Sequence, residues 1–309
     1  MKLSIVTTLY KSAPHLEGFY KRIVASVEKI TNDYEIIFVN DCSPDGSLGI
    51  AVALFNNNKN IKIIDLSRNF GQHKAIMTGL SYATGDMIFL IDSDLEEPPE
   101  ILKTFYSRFV ETKDCDVTFG VLEARKGSYF IRLFSNLFYK LMSFVSDVKA
   151  PENIAFTRLM SRRYVNSLLK FKERELYLGG LFFITGYKQL PVLIKSSYKG
   201  QTAYSLKKRM ALAINAITSF SNKPLIFMFN FGLLILLLTG IYILYTLFRW
   251  LFYSIPIVGW TSLIISIWLL GGLMICFVGI IGIYLSKIFV ETKNRPLTII
   301  KDIYDNSPK

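Results

Sequence analysis

Met87-Ile88-Phe89-Leu90-Ile91-Asp92-Ser93-Asp94-Leu95-Glu96-Glu97-Pro98-Pro99 opens on five apolar residues and closes on four carboxylates and two prolines. An apolar run with no polar interruption reads as a buried central strand. The prolines end it and turn the chain. Carboxylates at the carboxyl end of a parallel strand sit where open α/β sheets bind their ligands. Asp92 and Asp94, one residue apart, repel, and each raises the other's pKa unless a cation lies between them. A hard ion such as Mg²⁺, held by one or two carboxylates and substrate phosphates, meets that demand. The plainer reading is a turn with a helix-capping carboxylate, since Asp is common in both.

Outward from this stretch, strand and helix alternate. Residues 2–8 read as a strand and 16–29 as an amphipathic helix; 34–39 form a second strand, closed by a turn at 40–47 rich in helix-start residues. A helix to about 56, a strand at 61–66 and a helix over 74–83 lead into the central strand. This order predicts a right-handed doubly wound parallel sheet, with the polar clusters that follow successive strands gathered along one edge.

The hydrophobic fraction of 51% and the positive mean hydropathy are high for a soluble enzyme, and the excess lies after Pro224. Residues 225–248 and 250–286 carry no charge, and Arg249 alone separates them. About 20 apolar residues cross a bilayer core, so two transmembrane helices are expected, over 225–248 and 257–286. Trp250, Tyr253 and Trp260 fit an interfacial belt at their junction. Lys207, Lys208, Arg209 and Lys223 precede the pair, and Lys287, Lys293, Arg295 and Lys301 follow it. By the positive-inside rule both termini and the N-terminal domain are expected on the cytosolic side of a plasma or inner membrane. The expected organisation is a domain over 1–200, a juxtamembrane amphipathic helix over 201–223, the hairpin over 224–286 and a cytosolic tail over 287–309. The net charge of +12 fits anionic headgroups better than nucleic acid. Three scattered cysteines, Cys42, Cys115 and Cys276, imply neither a disulfide framework nor a zinc site. His15 and His73 have no partner at metal or triad spacing and read as structural.

Three motifs carry a resemblance. Val39-Asn40-Asp41-Cys42-Ser43-Pro44-Asp45-Gly46-Ser47 is similar to the "VDDGSxDGS" signature of family 2 GT-A glycosyltransferases. Leu66-Ser67-Arg68-Asn69-Phe70-Gly71, with Ala75 and Gly79, resembles "SRNFGxxxAxxxG", and Asp92 to Glu100 resembles "DADLQDPPE". The last two mark the polyprenyl-phosphate branch, whose bacterial members also carry two C-terminal transmembrane helices. The tail motif Glu291-Thr292-Lys293-Asn294-Arg295-Pro296-Leu297 is similar to theirs.

The resemblance implies an α/β GT-A domain (nucleotide-diphospho-sugar transferase, Rossmann-like) followed by the hairpin. It implies binding of a nucleotide sugar, UDP-linked favoured over GDP-linked, by Thr8, Tyr10, Asp41, Asp45, Arg68, Asp92 and Ser93. Asp41 is expected at the base, with helix capping as its plainer role. Asp92 and Asp94, with Glu96 where relatives have Gln, are expected to hold Mg²⁺ or Mn²⁺. Arg68 is expected to order the loops or meet phosphate, completing a catalytic set with Asp92 and Asp94. Arg125, Arg132 and Arg158 are candidates for the acceptor phosphate. Residues 125–139, basic and then aromatic, read as a loop and helix at the lipid surface or equally as a core helix with a solvated end.

Two departures bear on function. Where the family has "PxYNE", this chain has Thr8-Leu9-Tyr10-Lys11-Ser12, without the nucleotide-facing carboxylate. Where relatives have the Asp of "DFRL", it has Phe156, with Asp147 and Glu152 as nearby substitutes. A hydroxyl acceptor needs a base. A phosphate monoester, largely dianionic at pH 7, does not. The expected activity is therefore inverting transfer from a nucleotide sugar to polyprenyl (undecaprenyl) phosphate, in cell-surface glycan or lipopolysaccharide assembly, by a chain that is compatible with a homo-oligomer. Transfer to a hydroxyl, and a tethered binder that has lost catalysis, are the alternatives.

Overall fold

The computed structural model describes residues 1–122, 154–174, 176–194, 223–253 and 259–306. In β1 (Leu3–Leu9), Leu3, Ile5 and Leu9 point into one apolar core while Val6 points the other way, so the strand is buried on both faces. The same alternation runs through β2 (Tyr34–Asn40), β3 (Ile61–Leu66) and β4 (Met87–Leu90). These four strands pair in parallel in the order β3-β2-β1-β4. Helices α1 (Ala13–Val27) and α2 (Ser47–Asn57) cover one face, together with α4 (Ile101–Glu111).

Helix α3 (Gln72–Tyr82) packs on β1 and β2 from the other face. A Cβ on Gly79 would come within 2.6 Å of Val6 and 2.8 Å of Val39. The glycine of the third motif position is therefore a packing requirement. Gly71, which precedes α3 at φ +95°, supplies the left-handed turn into it.

Beyond β4 the sheet departs from the all-parallel expectation. β6 (Ile154–Ser161) runs antiparallel to β4; β5 (Val117–Leu122) is antiparallel to β6 and parallel to β7 (Gln189–Ile194). Two short helices, α5 (Arg162–Leu168) and α6 (Leu178–Ile184), lie between β6 and β7. The alternation continues through α4 to β5, but β6 runs antiparallel between β4 and β5 and so separates them in the sheet.

The long helices α7 (Lys223–Tyr253) and α8 (Trp260–Thr292) belong to a separate unit. Their apolar windows, Leu225–Tyr242 and Ser266–Thr292, are long enough to cross a membrane and almost wholly exposed. Phe227, Trp268 and Ile275 are about 70% or more exposed, an apolar surface suited to lipid rather than water. After α8 the chain adds an element the sequence analysis did not predict. Ile300–Tyr304 forms β8, antiparallel to β3, and completes the eight-stranded order β7-β5-β6-β4-β1-β2-β3-β8. The proposed juxtamembrane helix over 201–223, apart from Lys223, and the junction at 254–258 lie outside the described residues.

Candidate active site

The carboxyl ends of β1 to β4 carry four loops. Three non-glycine residues there have left-handed backbones, Lys11 (φ 57°), Cys42 (φ 50°) and Leu95 (φ 62°). Such strain persists only where surrounding contacts fix it, and it concentrates at functional sites.

Ser93 joins the first and fourth loops: its Oγ donates to the Thr8 carbonyl at 3.0 Å and pairs with Ser12 Oγ at 2.9 Å. Ser93 faces the α1 side, so Asp92 faces α3, where Gln72 Nε2 donates to its Oδ1 at 2.9 Å. Burial first, then the like charges of Asp94 and Glu96, push the Asp92 carboxyl up to about 6, against the lowering hydrogen bond from Gln72. Burial and the charges of Asp92, Asp94 and Glu96 push Glu97 up to about 8. Asp94 is exposed and accepts from the Glu96 amide at 3.0 Å.

This crowding of oxygens, with Asp92 held against its own ionisation, fits a hard divalent cation. Two carboxylates suffice when diphosphate oxygens complete the shell. Glu96 is exposed, and among the described residues no three Asp, Glu, His or Cys side chains converge as a ligand set. Asp92 and Asp94, at the strand end, are the candidates to hold the ion, with Glu96 beside them.

Three expected site residues are engaged elsewhere. Asp41, 2% exposed, accepts from the Phe70 amide at 2.7 Å through Oδ1 and from the Gly71 amide at 2.9 Å through Oδ2. It does not cap its own helix; both its oxygens hold the loop that carries Arg68. Asp45 accepts from Ser43 Oγ, Ser47 Oγ, the Ser47 amide and the Ala13 amide. Burial opposes its ionisation, but those hydrogen bonds outweigh it and hold the carboxyl far below its ordinary value. Arg158 is 1% exposed, stacked 3.2 Å from the Phe182 ring centroid, and bonded to the Phe156 and Ala155 carbonyls. Burial lowers its pKa to about 9. It is a core cation near Glu97, not a surface receptor for phosphate.

Tyr10 (48% exposed) and Arg68 remain open to solvent, Arg68 stacked on Phe70 at 4.4 Å. Arg125, Arg132, Asp147 and Glu152 lie outside the described residues.

The structure adds residues that the sequence analysis passed over. β4 and β6 pair with Leu90 opposite Arg158, and continuing that register two residues sets Asp92 opposite Phe156. The Phe156 ring lies 5.4 Å from the ring of His73, which is therefore part of the site. No spacing along the chain reveals this, because the neighbour is more than 80 residues away. The available signal was that α3 starts immediately after a strand-end loop, placing Gln72 and His73 at the ligand edge of the sheet.

A mixed sheet with a parallel half, and paired carboxylates at the end of a central strand, is the arrangement of a glycosyltransferase of the GT-A type. The glycosyl transferase family 2 profile matches residues 4–169. The chain is 45% identical over 304 residues to a protein named as a putative glycosyltransferase from Mycobacterium tuberculosis, covering 98% of this chain and 89% of that protein. It is 30% identical over 310 residues to the bactoprenol glucosyl transferase of Shigella phage SfII, covering all of both. In fold it is similar to a mannosyltransferase from Pyrobaculum calidifontis solved with GDP-Man and Mn²⁺, at TM-score 0.51 and 14% identity over 70% of this chain and 63% of that one. The chain belongs to glycosyl transferase family 2.

Proposed function

We propose that this membrane-associated glycosyltransferase moves a sugar from a nucleotide sugar to a polyprenyl phosphate on the cytosolic face, with inversion at the anomeric carbon. The observation that carries the reading is the Asp92–Asp94 pair at the end of β4, in a chain that aligns along its whole length with a bactoprenol glucosyl transferase. A UDP-linked donor is favoured.

Asp92 and Asp94 would hold Mg²⁺ or Mn²⁺, which when bound neutralises charge on the departing diphosphate. Gln72 orients the Asp92 carboxylate through its 2.9 Å hydrogen bond. Asp41 fixes the Phe70–Gly71 backbone and so presents Arg68 at the nucleotide edge. Ser93 and Ser12 lock the first loop, with Tyr10 beside it, against the fourth. Asp45 contributes by rigidity, tying the second loop to the start of α1.

In the transfer itself, a phosphate oxygen of the acceptor attacks the anomeric carbon from the side opposite the leaving group. The bond from that carbon to the diphosphate oxygen breaks, and the nucleoside diphosphate leaves with the electron pair. No proton has to be removed from a dianionic acceptor, which agrees with Phe156 standing opposite Asp92. Both ends of the membrane hairpin lead into strands of one sheet, β7 before it and β8 after it, which supports two crossings and a single side for the whole catalytic domain.

Transfer assays with and without EDTA, on a phosphorylated and an unphosphorylated polyprenol, test the reading. Activity that requires both the metal and the acceptor phosphate is expected. Equal use of the free alcohol would overturn the acceptor.

A further inference from the structure

His73 occupies the second position of α3, directly after the glutamine that holds Asp92. Its Nδ1 lies 3.1 Å from the Leu176 carbonyl oxygen. A carbonyl can only accept, so Nδ1 carries the proton. Burial lowers the pKa of the ring, against the raising hydrogen bond to Leu176, and so favours the neutral form. In a neutral imidazole with Nδ1 protonated, Nε2 is a bare acceptor. No partner for Nε2 occurs among the described residues.

The surroundings of the ring are aromatic. Phe156 lies at 5.4 Å and Tyr177 at 6.0 Å, and Phe156 meets Phe182 edge-on at 6.4 Å. An apolar aromatic wall with one bare acceptor suits a pyranose, which offers C–H faces to rings and hydroxyl donors at its edge. The place is also right. A sugar leaving a diphosphate bound at Asp92 lies within a residue's reach of that carboxylate, on the α3 side of the sheet, where His73 and Phe156 stand.

We propose that His73 is a donor-sugar contact, its Nε2 accepting a hydrogen bond from a hydroxyl of the transferred pyranose beside Phe156 and Tyr177. This rests on the functional reading above and adds a residue that reads the sugar rather than the nucleotide. A site that hydrogen-bonds a hydroxyl discriminates against sugars that place it elsewhere, because the acceptor, once covered by the bound sugar, is then unpaired.

The experiment uses the full-length protein in detergent with Mn²⁺. A panel of UDP- and GDP-linked hexoses and N-acetylhexosamines identifies the donor that binds the wild type most tightly. Affinities for that donor and for its free nucleoside diphosphate are then measured by calorimetry for the wild type, His73→Asn and His73→Ala. Asparagine keeps a donor where Nδ1 stands, and so the Leu176 bond, but offers no acceptor at Nε2. The expected result is a loss of about tenfold in nucleotide-sugar affinity for His73→Asn, the worth of about one hydrogen bond, with diphosphate affinity unchanged. Discrimination between epimers of the sugar should narrow in the same variant.

Wild-type donor affinity in His73→Asn with a defect only in His73→Ala would assign the residue to holding Leu176 and overturn the proposal. Equal losses for donor and diphosphate would do so too. A wild type that binds no member of the panel would instead bring down the functional reading, and this inference with it.

Discussion

At the scale of single residues, the site separates carboxylates that face a ligand from carboxylates that hold the protein together. Asp41 and Asp45 match family motifs, yet every oxygen of theirs that can be followed ends on a backbone amide or a hydroxyl of the same chain. Asp92 differs: it is crowded by like charges, and Gln72 is its hydrogen-bond partner. Asp92→Asn should therefore abolish most transfer while leaving the melting temperature within a few degrees of the wild type, measured with the same lipid acceptor. Asp41→Ala should behave oppositely. It leaves two loop amides without partners, which costs about 2 kcal/mol or more of stability, and nucleotide affinity falls because the Arg68 loop loosens. Retained stability in Asp41→Ala would show that the loop does not depend on it. Phe156 supplies a third case. If the acceptor is its own nucleophile, Phe156→Asp should give no gain in kcat, and a second carboxylate facing Asp92 should raise the acceptor KM by repulsion. A large rate increase in that variant would point to a missing base.

At the scale of elements, the sheet is pinned at the edge opposite the site. Glu35 at the start of β2 accepts from Ser4 of β1 at 2.6 Å and from the Thr84 amide and hydroxyl before β4, while Lys2 lies 3.3 Å away. Burial alone would raise its pKa, but these hydrogen bonds and the Lys2 charge hold it below the ordinary value. A carboxylate depressed in the folded state contributes stability that is present above the unfolded pKa of about 4 and lost as pH falls through the folded value. Glu35→Ala should cost about 3 kcal/mol at pH 7 and flatten the loss of stability below pH 4, with nucleotide affinity intact in the folded fraction. Denaturant titrations at pH 7 and at several acid values check this. How far these elements could be read from sequence follows from their physics. β4 announces itself because a strand buried on both faces can be apolar without interruption, and β1, β2 and β3 by their Ile- and Val-rich centres despite Ser4, Glu35 and Lys62. Asp92 and Asp94 were legible because they end such a run. β6 was not read as a strand, since its central Arg158 looks like a surface residue until Phe182 is seen stacked on it. His73 was set aside because a side chain's neighbours across a sheet leave no trace in spacing along the chain.

At the scale of the whole molecule, one sheet is built from segments on both sides of the membrane hairpin. The family 2 match ends at residue 169, yet β8 lies about 130 residues further on and pairs with β3, the strand that feeds the Arg68 loop. The support is specific. The Ser67 amide donates to the Ile299 carbonyl at 2.9 Å, Lys62 pairs with Asp305 at 3.0 Å, and Thr298 meets Thr78 of α3 at 2.8 Å. Without β8, the N–H and C=O groups along the outer side of β3 become an open edge, and Ser67 loses its partner at the first residue of the loop. A chain ended after Asn294 keeps both apolar helices and should still insert in the membrane. It should melt several degrees lower and bind nucleotide sugar more weakly than the full chain. The proposed topology follows the same architecture: if both helices cross, a hairpin bracketed by two strands of one sheet returns to the side it left. Exposed Cys42, in the loop after β2, then serves as a built-in reporter of the catalytic side. In right-side-out vesicles Cys42 should react only with a membrane-permeant thiol reagent, whereas a cysteine introduced between the helices as Gly259→Cys should react with an impermeant one. Labelling of both positions from the same side would refute the two-crossing arrangement, and a truncated chain as stable and as tight-binding as the full one would remove β8 from the support of the site.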